Sequence, residues 1–145
     1  MKMSKASDYA LVLLAKLESL PKDEWVSVRE VAETIGVPNR FLSNIVSQLV
    51  QAGILTSHRG VKGGIHLAKD SALITIGAVL EAMKDPMGLV DCVEQPGSCA
   101  LESHCNVQSF WAVTHGLVLA ALKHITLKEI TSYYKEEKYV PVAQN

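Results

Sequence analysis

Residues 27–67 decide the fold, and they read SVREVAETIGVPNRFLSNIVSQLVQAGILTSHRGVKGGIHL. Ser27 and Glu30 have the spacing of a capping box, in which the hydroxyl and the carboxylate each bind a free backbone N–H at the start of a helix. This box predicts a short helix that ends near residue 35. Gly36 then begins a tight turn, because glycine readily adopts a left-handed backbone conformation.

A second helix is predicted from residue 39 to about residue 52, where Gly53 has the position of a C-terminal cap. Two short strands are expected at 54–57 and 64–67, and the glycine-rich stretch 58–63 between them indicates a hairpin tip. Helix, turn, helix and hairpin is the order of elements in a winged helix-turn-helix. The expected fold class is therefore mainly α, with a small two-stranded wing.

Helices are also expected on both sides of this stretch. Apolar spacing predicts a first helix at 4–20, a further helix at 75–84 and the longest helix at 106–124. Apolar residues surround much of the longest helix, and one neighbouring element could not cover all of them. We therefore expect it to be a C-terminal dimerisation helix that pairs two identical chains. Thr126 and Glu129 form a second capping box, which predicts a short last helix.

Composition narrows the class of protein. The chain has 145 residues, of which 48% are hydrophobic and 20% are charged, as in an ordinary globular domain. The net charge is -1, but residues 1–70 carry nine Lys and Arg against seven Asp and Glu, whereas residues 71–145 carry five against eight. No apolar run approaches the ~20 residues that cross a bilayer, and no signal peptide is evident. We expect a cytoplasmic protein with reduced thiols and no membrane contact.

The outward side chains of the second predicted helix suit the base edges of a major groove. No acidic residue occurs from Pro38 to Lys69, which avoids repulsion by DNA phosphates. Arg59 could enter or flank a minor groove, and Lys62 could contact phosphate. The candidate DNA-binding residues are Ser27, Val28, Asn39, Arg40, Ser43, Asn44, Ser47, Arg59 and Lys62, with Gln51 also on the outward face.

The hairpin glycines extend this hypothesis. Gly60, Gly63 and Gly64 would let the wing approach the DNA backbone closely. The same pattern also fits a solvated helix beside a surface hairpin, because helix-turn-helix patterns are short and degenerate. Winged domains can also bind proteins instead of DNA.

All three cysteines lie in one Gly- and Pro-bearing loop, with the spacing Cys92-x6-Cys99-x5-Cys105. Thiolates are soft ligands, and this spacing lacks the two close pairs that are usual in structural zinc sites. A wider spacing lets one loop wrap a larger object such as an iron–sulfur cluster. The alternatives are three unrelated thiols, or an enzyme in which Cys92 or Cys105 uses His104 or His115 as a base.

Taken together, these motifs resemble the Rrf2 family of transcriptional regulators over about residues 1–132. The matching segments are SDYAL at 7–11, QAGIL at 51–55, RGVKGGIHLA at 59–68, the three cysteines and ITLKEI at 125–130. Within the family, the stretches PMGLVDC at 86–92 and HCNVQSFW at 104–111 look most like regulators of the SUF iron–sulfur assembly system.

The resemblance implies a homodimer that binds a near-palindromic operator in double-stranded DNA. It implies repression of transcription there, with activation as the alternative, and no small-molecule substrate. It also implies a [2Fe-2S] or [4Fe-4S] cluster that senses iron–sulfur, redox or nitric-oxide status. A cluster-free, thiol-responsive regulator is the alternative within the same class. The implied organisation is a DNA-binding unit at 1–84, a cluster loop at 85–105, a dimerisation helix and last helix at 106–134, and a polar tail at 135–145.

The resemblance also implies a fourth ligand to the cluster. IscR-like members have a histidine ligand three residues after the third cysteine, where this chain has Gln108. NsrR-like members use an aspartate of the first helix, and Asp8 stands at the matching position. The implied metal ligands are therefore Cys92, Cys99, Cys105 and Asp8. Without the resemblance, Asp8 would simply be a favourable charge near a helix N-terminus, worth about 0.3–1 kcal/mol.

Overall fold

The computed structural model describes residues 3–22, 24–61, 63–85 and 88–135. The elements are α1 (Lys5–Glu18), α2 (Val28–Ile35), α3 (Asn39–Gln51), β1 (Leu55–His58), β2 (Gly64–Leu67), α4 (Ile76–Ala82), α5 (Asp91–Glu94), α6 (Gln108–His124) and α7 (Leu127–Lys135), with 3-10 turns at Ser71–Leu73 and Glu102–His104. This architecture confirms the predicted fold class, mainly α with a two-stranded wing. The predicted polar tail lies outside the described residues beyond position 135.

The helix-turn-helix forms at the positions that its local signals predict. The Ser27 hydroxyl accepts the Glu30 backbone N–H at 3.1 Å, so the serine half of the capping box is present among the described hydrogen bonds. Gly36 has φ of +73° between α2 and α3, and Gly53 has φ of +68° just after α3. Both glycines therefore end helices in the left-handed conformation that a larger side chain rarely adopts.

One hydrophobic core joins the first and the last of the described helices. Its fully buried side chains come from α1, α2, α3, the wing, α4 and the first turn of α7, and they include Leu13, Leu14, Val31, Leu42, Ile45, Leu49, Ile54, Leu55, Ile65, Ile74, Val79 and Leu127. The Tyr9 and Phe41 rings add an edge-to-face contact between α1 and α3, with centroids 5.6 Å apart. Leu127 and Ile130 of α7 pack in the same core as the buried residues of α1, so α7 lies against α1.

The second predicted capping box is complete and opens α7. The Thr126 hydroxyl accepts the Glu129 N–H at 3.2 Å, and the Glu129 carboxylate accepts the Thr126 N–H at 2.7 Å. Hydrogen bonds from the Thr126 backbone N–H and, to a smaller extent, from the Thr126 hydroxyl favour the charged form of the Glu129 carboxyl. They hold its pKa below the ordinary value.

The wing is a two-stranded antiparallel sheet that a third segment braces. Val26 pairs with Ile65, through N–H to carbonyl distances of 3.2 and 2.8 Å, and the sequence did not predict this bridge. A side chain at Gly63 would overlap the carbonyl of His58, and one at Gly64 would overlap the backbone of Val26. Gly63 and Gly64 thus serve close packing inside the protein, a role that differs from the expected approach to DNA.

The long helix α6 packs on one side only. Leu119 and Leu122 contact Ile76 and Leu80 of α4, but no residue of α6 is buried. An exposed apolar stripe runs along the other side and consists of Val107, Phe110, Val113 and Leu117, which are 53–67% exposed. The preceding loop contains α5 and a 3-10 turn, which the sequence did not predict. Among the described residues, no helix is long and apolar enough to cross a membrane.

Replacing Leu127 with alanine is expected to lower the free energy of unfolding by about 2–5 kcal/mol, because the side chain is fully buried where α7 meets the core. Leu73→Ala is the matched control, since Leu73 is 68% exposed. Urea unfolding of both variants measures the difference. Equal losses would show that the last helix does not contribute to the core in solution.

Candidate functional site

A groove of about 510 Å³ separates α3 from the wing. No Asp or Glu occurs among the described residues that line it, so this lining does not repel a phosphate backbone. The residues around it are Val28 of α2, Ser43, Val46, Ser47, Val50 and Gln51 of α3, and Ser57, His58, Arg59, Gly64 and Ile65 of the wing. The structure therefore brings four of the predicted DNA-binding residues, Val28, Ser43, Ser47 and Arg59, to one groove.

Four further candidates of this set lie on α3 or at the start of α2. Asn39, Arg40 and Asn44 are exposed on α3, and Ser27 caps α2. The Ser43 hydroxyl already donates to the Asn39 carbonyl at 2.8 Å, so it is satisfied before any partner binds. Within the described ranges, Arg40 makes no salt bridge, which leaves its guanidinium available to an anion.

Among the described residues of the wing tip, Arg59 and Val61 present their side chains to solvent. Arg59 is exposed and has no ion pair among the residues that the structure describes. Val61 is fully exposed and is not among the predicted DNA-binding residues. An aliphatic residue at a hairpin tip has no core within reach, and this position could have marked Val61 as a candidate for contact with a minor groove. Lys62, the expected phosphate contact, lies outside the described residues.

Trp25 braces the outer face of the wing. Its ring meets the His66 ring edge-on, with centroids 4.3 Å apart, and the His58 ring lies 5.8 Å away. Trp25 is 38% exposed and His66 is half-buried, so this contact lies at the surface of the protein. The contact between Trp25 and His58 supports β1, the strand that ends just before Arg59. Sequence reasoning could not find it, because Trp25 stands in an irregular segment without periodicity.

The cysteine loop holds three half-buried free thiols. Cys92 lies on α5, Cys99 in the following turn and Cys105 at the end of the 3-10 turn. In the described part of the chain, no three His, Cys, Asp or Glu side chains converge closely enough to hold a metal ion. The donor set itself consists of soft thiols, the ligand type that iron–sulfur clusters use.

Asp8 is exposed on the first turn of α1. The Ser4 backbone N–H just before it donates to the Asp85 carboxylate at 2.8 Å, so this end of α1 lies where the cysteine loop leaves α4. Val12, one turn beyond Asp8, is 42% exposed. Because Asp8 and Val12 are both exposed, this face of α1 is open to a further contact.

The enzyme alternative needs a cysteine paired with a histidine base. His104 is exposed, and Nε2 of His115 is buried without a hydrogen-bond partner in the described residues. Neither ring makes a hydrogen bond to a cysteine there. The described geometry therefore lacks the nucleophile–base contact that such catalysis requires.

The helix-turn-helix, its braced wing and the groove between them define a DNA-binding transcriptional regulator. The chain belongs to the Rrf2 family, described as iron-dependent transcriptional regulators, whose pattern matches residues 3–133. This membership confirms the resemblance drawn from the sequence motifs.

Individual relatives agree with the family. The chain is 31% identical over 131 residues to the HTH-type transcriptional regulator NsrR of Halalkalibacterium halodurans, covering 90% of each chain. CymR, the global cysteine regulator of B. subtilis, has a similar fold with a TM-score of 0.74 at 24% identity, covering 92% of this chain and 98% of that one. The IscR of T. potens has a similar fold with a TM-score of 0.68 at 22% identity, covering 100% of this chain and 94% of that one.

Proposed function

We propose that this protein is a cytoplasmic homodimeric repressor that binds an operator through α3 and the wing and senses iron–sulfur, redox or nitric-oxide status through a cluster. Its targets would be genes of iron–sulfur cluster assembly or stress response. The observation that carries the proposal is the groove between α3 and the wing. Its described lining combines apolar residues with hydroxyl, amide and basic side chains and includes no carboxylate.

Docking on double-stranded DNA follows from this groove. The exposed polar side chains of α3, among them Asn39, Arg40 and Asn44, would meet base edges and phosphates in the major groove. Arg59 at the wing tip would then reach the neighbouring minor groove, with Val61 beside it. Ser43 and Ser47 face the groove. The Ser47 hydroxyl could donate to a base or to a phosphate, whereas the Ser43 hydroxyl, whose proton goes to the Asn39 carbonyl, could still accept from a base.

A second copy of the chain is the proposed occupant of the exposed stripe on α6. Phe110 and Leu117 are 60% and 67% exposed, which is unusual for large apolar side chains on the longest helix of a small protein. A two-fold pair of chains buries each stripe against the other and continues the amphipathic packing of α6. This pair of chains would present its two copies of α3, the proposed recognition helices, to half-sites about one helical turn apart.

The thiols of Cys92, Cys99 and Cys105 would hold the cluster, with Asp8 of the partner subunit as a fourth ligand. Bound there, the cluster would supply a redox- and nitric-oxide-reactive centre. A carboxylate is a harder ligand than a thiolate, so Asp8 would hold its iron less firmly than the cysteines hold theirs. The exposure of Asp8 and its neighbour Val12 supports a ligand supplied across the dimer. A cluster-free, thiol-responsive regulator is the second candidate, because the thiols are free and half-buried.

The docking proposal predicts that Arg59→Ala weakens operator binding by about 1–3 kcal/mol, since the guanidinium has no internal partner among the described residues and would lose its DNA contact. If the contact is to phosphate, the slope of log affinity against log salt also flattens by about one. Arg29→Ala is the control, because Arg29 pairs with Glu33 at 2.9 Å on α2 and does not line the groove. Parent-like binding of Arg59→Ala at several salt concentrations would rule out this docking.

A further inference from the structure

Glu102 stands between the second and third cysteines and binds two separate parts of the chain. Its Oε2 accepts the backbone N–H of Gly97 at 2.6 Å, and its Oε1 accepts a side-chain N–H of Gln108 at 3.0 Å. Both Glu102 and Gln108 are half-buried. One carboxylate therefore bridges the turn before Cys99 and the helix after Cys105.

Each end of this bridge is a point where the cysteine loop could otherwise move. Gly97 has φ of +87° and lies between α5, which carries Cys92, and Cys99. Gln108 is the first residue of α6, where the free backbone N–H groups favour a nearby negative charge. Fixing both ends limits the separations that the three thiols can adopt.

We propose that Glu102 is a positioning residue that latches the cysteine loop onto the first turn of α6 and sets the spacing of the thiols before any ligand binds. The latch also links the loop mechanically to the helix that carries the exposed apolar stripe. It holds the Gln108 amide against Glu102. The relevance of the latch to sensing rests on the proposed function, whereas the latch itself does not.

The test uses reduced, metal-free protein and the rate at which a thiol reagent labels each cysteine, read by mass spectrometry of the peptides. Glu102→Gln replaces the charged acceptor of both hydrogen bonds by a neutral amide. Even where the Gln108 amide turns round and both contacts are kept, each becomes a weaker bond between neutral groups. Labelling of Cys99 and Cys105 should accelerate roughly tenfold, the change in local opening that this weakening gives. Exchange of the Gly97 amide hydrogen should accelerate with it.

Two further variants separate the latch from a general loss of structure. Gln108→Met removes the other end of the bridge and should accelerate labelling of Cys105 more than exchange at Gly97. Glu81→Gln makes the same chemical change on the exposed side of α4 and should leave all rates unchanged. Thermal unfolding should be nearly the same for the three variants, since none lies in the core.

Parent-like labelling and parent-like Gly97 exchange in Glu102→Gln would overturn the proposal. Because no readout needs a cluster, the latch and the proposed function fail separately. Accelerated labelling in Glu102→Gln, together with a parent protein that takes up no cluster, would keep the latch and reject cluster sensing.

Discussion

Alanine in place of Cys92, Cys99 or Cys105 is expected to abolish the visible sulfur-to-iron absorbance of protein reconstituted anaerobically with iron and sulfide. Each variant removes one of three soft ligands that the proposed site supplies from one loop, and the remaining side chains of that loop are poor substitutes. Ser103→Ala is the matched control, because Ser103 is exposed in the same loop. The spectra of the four variants and the parent are compared at equal protein concentration.

Asp8→Ala should behave differently from the cysteine variants. It is expected to keep the cluster or lose it slowly, and to respond abnormally to oxidant or nitric oxide in operator-binding assays. A normal response would move the fourth ligand to His104, Gln108 or an exogenous thiol. If no cysteine variant changes the absorbance, the cluster proposal is wrong and the cluster-free, thiol-responsive regulator becomes the better account.

Local signals explain why the DNA-binding half was predictable. Ser27, Gly36 and Gly53 each act on their own few neighbours, through a cap or a left-handed backbone, and each stands where the structure needs it. The Thr126 capping box worked for the same reason. Features of this kind depend on spacing of four residues or fewer, which a sequence displays directly.

Contacts between distant segments were not predictable in this way. The bridge between Val26 and Ile65 and the contact of Trp25 with His66 join residues about 40 positions apart, and no periodicity marks them. The internal role of Gly64 follows from that bridge, so it was also hidden. The carboxylate of Glu102 reaches both sides of an irregular loop, where hydrophobic pattern carries no information.

The cysteine site lies between these two cases, because its chemistry could be predicted from the sequence and its geometry could not. Spacing alone indicated ligand chemistry, yet the described residues of one chain do not gather three such groups around an ion. The three thiols of the proposed site would therefore have to come closer together when a cluster binds, and the fourth donor would come from a second chain. The exposed faces of α1 and α6 are the surfaces where such completion would occur.

Leu117→Asp is expected to make the protein a monomer at micromolar concentration, because it would disrupt the proposed dimer. Leu117 is 67% exposed in the single chain, so an aspartate there should cost the subunit fold little. Between two stripes, however, the same carboxylate would be buried without a partner, which strongly disfavours association. Analytical ultracentrifugation measures the mass, and Ala112→Asp is the control, because Ala112 is exposed on α6 but lies off the stripe.

Operator binding should fall with the loss of the dimer. A monomer engages one half-site, so it loses the effective concentration that the second recognition helix provides, on the order of 10²-fold or more in affinity. Binding of Leu117→Asp to a full operator and to a half-site should therefore become nearly equal, while the Ala112→Asp control still prefers the full operator. A Leu117→Asp protein that stays dimeric would show that α6 is not the interface. A monomer that binds the full operator like the parent would show that pairing of chains is not needed for recognition.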